Sequence, residues 1–178
     1  MHEAPAPRAA TPRREAPSQG PADAKVTVEV WSDFECPFCA KGSATVKQLR
    51  EKYGDRIRIV FRQMPLPFHE HAKLAAVASM AAAEQGRFWE YHDALFQQPR
   101  ELDRASLVKL AKKLKLDVER FERALESGAY DNYLEAERVE ARQRGVSGTP
   151  TFFINDTAVV GARPVEQFAE VIDAALAR

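Results

Sequence analysis

Cysteine is scarce in this chain: 178 residues carry two. No further thiols exist to complete a four-cysteine zinc site. The four histidines could add ligands, but only His69 and His71 lie close together, and no metal site is expected. An excess of charge of one sign is lacking as well. Lysine plus arginine equals aspartate plus glutamate at 26 each, so nothing points to nucleic acid or an anionic membrane as a partner. Long apolar runs are missing too. No stretch approaches the roughly 20 residues of a membrane span, and no h-region of a secretory signal is present. With 45% hydrophobic residues, the chain can still close one globular domain around a full core.

The two cysteines stand together in Asp33-Phe34-Glu35-Cys36-Pro37-Phe38-Cys39. Ahead of them Val26, Val28 and Val30 alternate as in a strand. Pro37 suits the first turn of a helix, where its missing N–H costs nothing. Two residues between the thiols make a ring small enough to open and close repeatedly. As a permanent cross-link, so short a loop would remove little chain entropy. Reversible redox chemistry is therefore the better reading. At a helix N-terminus, free N–H groups and peptide dipoles favour a thiolate. The expectation is an exposed, nucleophilic Cys36 capping the helix and a shielded Cys39 as its resolving partner. Glu35 adjoins the pair, reads as solvated, and would slightly oppose the Cys36 thiolate.

Far downstream, Gly145-Val146-Ser147-Gly148-Thr149-Pro150 leads into the apolar run Thr151-Phe152-Phe153-Ile154. Alone, this is an ordinary turn with a trans proline at a strand start. Paired with the cysteine motif, it resembles the cis-proline loop of the thioredoxin superfamily, with Thr149 and Pro150 at the matching positions. In that superfamily the residue before the proline offers its backbone to an extended polypeptide. The resemblance implies that Phe38, Val146, Thr149 and Pro150 line a shallow apolar substrate groove, with Pro37 and Glu35 modulating the cysteines.

The order of elements extends the likeness. Val26–Phe34 reads as a strand, Cys36 to about Tyr53 as a helix and Ile57–Gln63 as a strand. Thr151–Asn155 and Ala158–Val160 read as two further strands, followed by a helix opened by Pro164. Residues 65–148 are far too many for one crossover and read as helical almost throughout. Ala72–Gln85 should be buried on nearly every face. Phe88–Phe96 is an aromatic helix, and Asp103 and Asp117 look like caps of two more. Tyr130–Arg144 closes the set. Phrases such as Pro65-Leu66-Pro67-Phe68-His69, Gln85-Gly86-Arg87-Phe88-Trp89 and Phe153-Ile154-Asn155-Asp156 add to the likeness. From about residue 25 to 178, the chain is similar to the DsbA-like thiol–disulfide oxidoreductases, in their Cys-Pro-Phe-Cys form. The resemblance implies an α/β thioredoxin-like fold with a central mixed sheet of order 2-1-3-4 and a helical insertion between its halves. It also implies disulfide exchange with polypeptide thiols by a monomer that needs no cofactor beyond the Cys36–Cys39 pair. A membrane redox partner would recharge that pair.

Two positions depart from the family pattern. Val30 stands six residues before Cys36, where many thioredoxin-fold enzymes place a buried acid, and Glu29 would face the other side of the sheet. Phe38 replaces the histidine of the strongest oxidases. Disulfide donation is the expected direction, with a reductase or isomerase as the alternative. A non-catalytic domain that binds copper(I) or senses redox state remains a third reading.

Residues 1–24 differ from the rest. Pro5, Pro7, Pro12, Pro17 and Pro21 lie among alanines and arginines without apolar periodicity, as in a disordered linker. Such a tether suggests a domain of the cell envelope or periplasm whose signal or anchor is absent from this chain; the alternative is the cytoplasm. Having no spare thiols to mispair agrees with an oxidising compartment. His69, His71 and His92 read as capping or packing residues. Trp31 should cover the sheet's other side. Arg58 and Arg62 read as the wet face of an edge strand, and Asn155-Asp156 as a hairpin turn.

Overall fold

The computed structural model describes residues 14–178; residues 1–13 of the expected linker lie outside the described residues. The sheet grows from β2 (Val26–Ser32) and β3 (Ile57–Gln63), which pair in parallel with Val30 opposite Phe61 and Trp31 opposite Arg62. Antiparallel to β2 runs β4 (Thr151–Ile154), and antiparallel to β4 runs β5 (Thr157–Val160). Asn155, at a positive φ of 49°, turns the hairpin between β4 and β5. Counted in chain order, these four strands have the expected arrangement 2-1-3-4.

An additional strand, β1 (Ser18–Gln19), pairs antiparallel with β3 and extends the order to β1-β3-β2-β4-β5. It falls within the stretch that reads as a disordered linker, so the ordered domain starts ahead of residue 25. The physical reason is that backbone groups do the holding. The Phe61 N–H donates to the Pro17 carbonyl at 2.8 Å, and the Trp89 indole N–H donates to the Ser18 carbonyl at 3.2 Å. Gly20, at φ 95°, passes so close that a Cβ would lie 2.5 Å from the Ile57 carbonyl oxygen. Main-chain docking of this kind leaves no hydrophobic period to read. Further out, Arg14 stacks on Tyr130 at 4.3 Å and pairs with Glu84.

The active-site helix α1 (Pro37–Tyr53) follows β2, with Pro37 in its first turn. Between β3 and β4 lie α2 (Ala72–Ala83), α3 (Phe88–Gln97), α4 (Arg104–Lys113), α5 (Val118–Glu126) and α6 (Asp131–Gln143). Helix α2 is buried along most of its length, because its small side chains let α3 and α5 approach closely. Asp103 and Asp117 cap α4 and α5 by accepting the N–H groups of Ser106 and Arg120. After Pro164, α7 (Val165–Leu176) returns across the sheet.

The two sheet faces differ in chemistry. Val26, Val28, Val30, Ile57, Ile59 and Phe61 join the main apolar core, packed beneath α1 and α7. The other face carries Glu29, Trp31 and Arg62, and α6 packs over it. Alternation predicts a wet edge position for Arg62, but the side chain is buried. The edge belongs to β1, and α6 brings Glu137 within 2.9 Å of the Arg62 Nε. Glu29 approaches the same guanidinium at 3.1 Å, Glu140 pairs with it too, and Trp31 lies beneath it at 4.5 Å. Arg144 reaches Glu29 at 2.9 Å.

Candidate active site

Strand β2 ends at Ser32, and the chain turns through Asp33, Phe34 and Glu35 before α1 begins. Phe34 anchors that turn by stacking on Phe61, with ring centroids 5.2 Å apart. The Cys36 N–H donates to the Asp33 carbonyl at 3.2 Å. Cys36 takes the N-cap position of α1, but its side chain makes no capping hydrogen bond. Instead its thiol points across to the Thr149 carbonyl oxygen at 3.7 Å. The Thr149–Pro150 peptide is cis, and Pro150 is buried beside α1. Gly42 makes that approach possible: a Cβ there would meet Phe152 at 3.1 Å and the Pro150 ring at 3.3 Å.

Both cysteines are free thiols here. Against the expectation of an exposed nucleophile, Cys36 retains 6% of its surface, compared with 1% for Cys39. Thr149 of the cis-proline loop lies against its sulfur. The two thiols prefer opposite proton states. The Cys36 thiol is pulled down to about 5, chiefly by a hydrogen bond from Cys39; burial opposes this, while Thr149 and the N–H groups of Cys39 and Phe38 add to it. Burial pushes the Cys39 thiol strongly up, and the bond it gives to Cys36 adds to the rise. One sulfur is a thiolate at neutral pH and its neighbour is a protonated donor to it. The two sulfurs thus hold one proton between them.

The other expected residues fall around this pair in different ways. Phe38 is 58% exposed on the first turn of α1, with Lys41 5.5 Å from its ring centre. Pro37 is exposed. Val146 is buried against Trp31 and Ala141, and it also borders a groove of about 630 Å³ shared with Leu66, His69 and Leu134. Glu35, read from the sequence as solvated, is tied down: it accepts the His71 N–H at 2.7 Å, and the His71 ring lies 3.7 Å away. Its charge is therefore engaged by the loop before α2 rather than facing Cys36 alone. His92 is buried among Phe34, Phe61, Phe88, Trp89 and Phe96. Burial lowers its pKa, and Asp93 only partly offsets the effect.

Asp33 is the site residue that sequence reasoning missed. Its carboxylate is fully buried and accepts three hydrogen bonds at 2.8 Å, from the Glu35 N–H, the Leu66 N–H and His69 Nδ1. Its own N–H donates to Cys39 Sγ at 3.4 Å. The Val30 position thus holds no acid, but an acid sits three residues nearer the cysteines. A signal existed in the matched spacings: Asp33 and Glu35 are two apart, as are His69 and His71, and the structure joins them pairwise.

This fold, with an asymmetric dithiol at the start of α1, is of the thioredoxin type. A thioredoxin family model matches residues 13–174, and the chain belongs to that family. Among solved structures, a thioredoxin-like oxidoreductase from Silicibacter pomeroyi is 28% identical with a TM-score of 0.83, covering 92% of this chain and 93% of the other. The thiol–disulfide exchange protein α-DsbA2 from Wolbachia pipientis shares the fold at 23% identity and a TM-score of 0.81, over 89% and 86% of the two chains. Among curated proteins, the Na⁺/H⁺ antiporter NhaA 3 of Salinispora tropica is 39% identical over 160 residues, which are 89% of this chain and 24% of the antiporter. The chain spans about a quarter of the length of the curated relatives it matches.

Proposed function

We propose that the Cys36–Cys39 pair exchanges disulfides with polypeptide cysteines and acts mainly as a disulfide donor in the cell envelope, as a monomer without further cofactor. The opposed proton preferences of the two sulfurs carry this reading. In the donor direction, a substrate thiolate attacks Cys36 of the disulfide, a mixed disulfide forms, and the electron pair leaves on Cys39. A second substrate thiolate then attacks the substrate sulfur of the mixed disulfide, and Cys36 departs as a thiolate. The substrate gains a disulfide and the pair ends as two reduced cysteines. A leaving group that is already stable as a thiolate speeds that last step.

The same asymmetry supports that direction. Each pKa unit of thiolate stabilisation raises the potential of a two-electron couple by about 30 mV, making the disulfide a stronger oxidant. At neutral pH only the part of the Cys36 shift below about 7 counts, roughly 60 mV at most, and less where water screens the sulfur. An envelope location is supported by the lack of thiols beyond Cys36 and Cys39, which agrees with an oxidising compartment. Among the described residues, no helix is long and apolar enough to cross a membrane. A membrane redox partner would reoxidise the pair.

The test is an equilibrium of the pair with graded glutathione buffers, read by thiol trapping and mass. A potential near or above about −180 mV supports donation; one near about −270 mV makes the protein a reductase. Replacing Cys36 with serine should abolish turnover. Tight stoichiometric copper(I) binding by the reduced protein, without dithiol turnover, would overturn exchange altogether.

A further inference from the structure

We infer that Asp33 and His69 act as a positioning pair for Cys39, connecting the resolving sulfur to an imidazole at the protein surface. The inference rests on the exchange chemistry proposed above and assigns it a control point. Asp33 touches the site in three ways. Its N–H donates to Cys39 Sγ, its carbonyl accepts the Cys36 N–H, and its carboxylate holds the loop between β3 and α2 through Leu66 and His69. A fully buried carboxylate with three donors is a rigid fixture, because each oxygen has its partners and water does not compete. The orientation of the N–H that meets Cys39 is therefore set by what the carboxylate binds.

Of those three donors, His69 is the one that is a side chain. Its side chain is 20% exposed, so the ring reaches both the buried acid and solvent. Other charges face it. Glu35 and His71 lie one clasp away on the same pair of segments; Glu70 and Lys73 flank the groove, and Arg138 and Arg142 face it from α6. Lys73 pairs with Asp131 and Arg138 with Glu135, while Arg142 also acts on Glu135. Beside His69, Phe68 lies largely in solvent with its ring 4.6 Å from the imidazole.

In the reducing direction, a mixed disulfide at Cys36 is resolved when the Cys39 thiol gives its proton to solvent and its sulfur attacks Cys36 Sγ, forming the Cys36–Cys39 disulfide and breaking the bond to the substrate sulfur, which leaves as a thiolate. That step needs Cys39 Sγ held in line with the Cys36–substrate bond. Attack by the Cys36 thiolate on substrate uses Cys39 only as the hydrogen-bond donor that steadies the thiolate and makes no bond to its sulfur. Loss of the His69 bond should thus slow resolution far more than the first attack.

Three forms of the protein test this: wild type, His69→Phe, which keeps a ring but has no donor, and His69→Asn, whose amide nitrogen replaces Nδ1 and does not titrate. Single-turnover quenching with thiol trapping measures formation and resolution of the mixed disulfide from pH 5 to 8. The expected result is about tenfold slower resolution in His69→Phe with formation changed less than about twofold. His69→Asn should restore the rate and abolish any inflection from the imidazole. Proton NMR of wild type gives a second readout. By linkage, coupling of His69 to Cys39 requires its titration midpoint to differ between dithiol and disulfide forms. Unchanged resolution in a folded His69→Phe, or an identical midpoint in both forms, would overturn the inference. Should His69→Phe fail to fold, the wild-type midpoint decides. Absence of any exchange by wild type would instead sink the proposed function, which separates the two failures.

Discussion

On one face of β2 and β3, aliphatic and aromatic side chains meet the helices in a continuous apolar core. On the other, Arg62 and Arg144 thread among Glu29, Glu137 and Glu140 beneath α6. The apolar face excludes water throughout, whereas the ionic face is dry around Arg62 and Glu137 and partly wet at Glu29, Glu140 and Arg144. The apolar face needs only volume and shape, and its contributions accumulate contact by contact. The ionic face works only while each charge keeps its counterpart, because desolvation of an orphaned ion exceeds what its contacts return. Three carboxylates there meet two guanidiniums, and burial raises the Glu137 pKa even though Arg62 and the Gln63 N–H favour its charge. Burial also opposes the charge of Arg62, yet its bonds to Glu137 and Glu140 prevail and hold its pKa above the usual value.

The sharpest break should come on the apolar face. Phe61→Ala removes a ring that supports Phe34 and Phe88, and should cost about 3–5 kcal/mol in denaturant unfolding. Because Phe34 seats the turn before Cys36, the thiolate titration of Cys36 should broaden as well. A loss below about 1 kcal/mol would show that the core closes around the gap.

Next in size is Glu137→Ala. Removing one partner of a buried ion pair generally costs about 3–5 kcal/mol. Here Arg62 keeps Glu29 and Glu140, so about 2 kcal/mol is expected. The double change Arg62→Met with Glu137→Leu should recover most of that loss. No recovery would mean that the ionic face adds net stability beyond its packing.

The smallest effect separates the faces by pH. His92 has a depressed pKa through burial, so its contribution is present above the unfolded value near about 6.5 and is lost as pH falls toward the folded value. Glu137 has a raised pKa, so its contribution is complete below the unfolded value near about 4.3 and is lost as pH rises through the folded value. His92→Phe should flatten the decline in stability below about pH 6.5. Glu137→Gln should flatten the decline that sets in above about pH 4.3 and ends once the folded midpoint is passed. Equal pH profiles for His92→Phe and wild type would remove the asymmetry between the faces.

The same contrast explains what was legible in the sequence. Period-two alternation in Val26–Val30 and Ile57–Phe61 marks the strands, and Asp103 and Asp117 mark helix starts, because those signals are local. The cysteine pair and the Thr149-Pro150 loop are legible as motifs and only need bringing together. Arg62 misleads because its partner Glu137 lies 75 residues away, and an alternating arginine looks wet until α6 arrives. Asp33 escapes notice for a like reason: its partners Leu66 and His69 are 33 and 36 residues on. The β1 strand leaves no trace because main-chain bonds to Pro17 and Ser18 have no side-chain code.

Gly42 gives this architecture an adjustable gauge. It touches neither sulfur, yet a single methyl at that point would press on both Phe152 and Pro150, and one of them would have to yield by a few tenths of an ångström. The distance from Cys36 to Thr149 is thus a machined tolerance, set from behind by the absence of one carbon atom. An engineer wishing to retune the redox couple could leave the Cys-Pro-Phe-Cys motif intact and shim the helix instead.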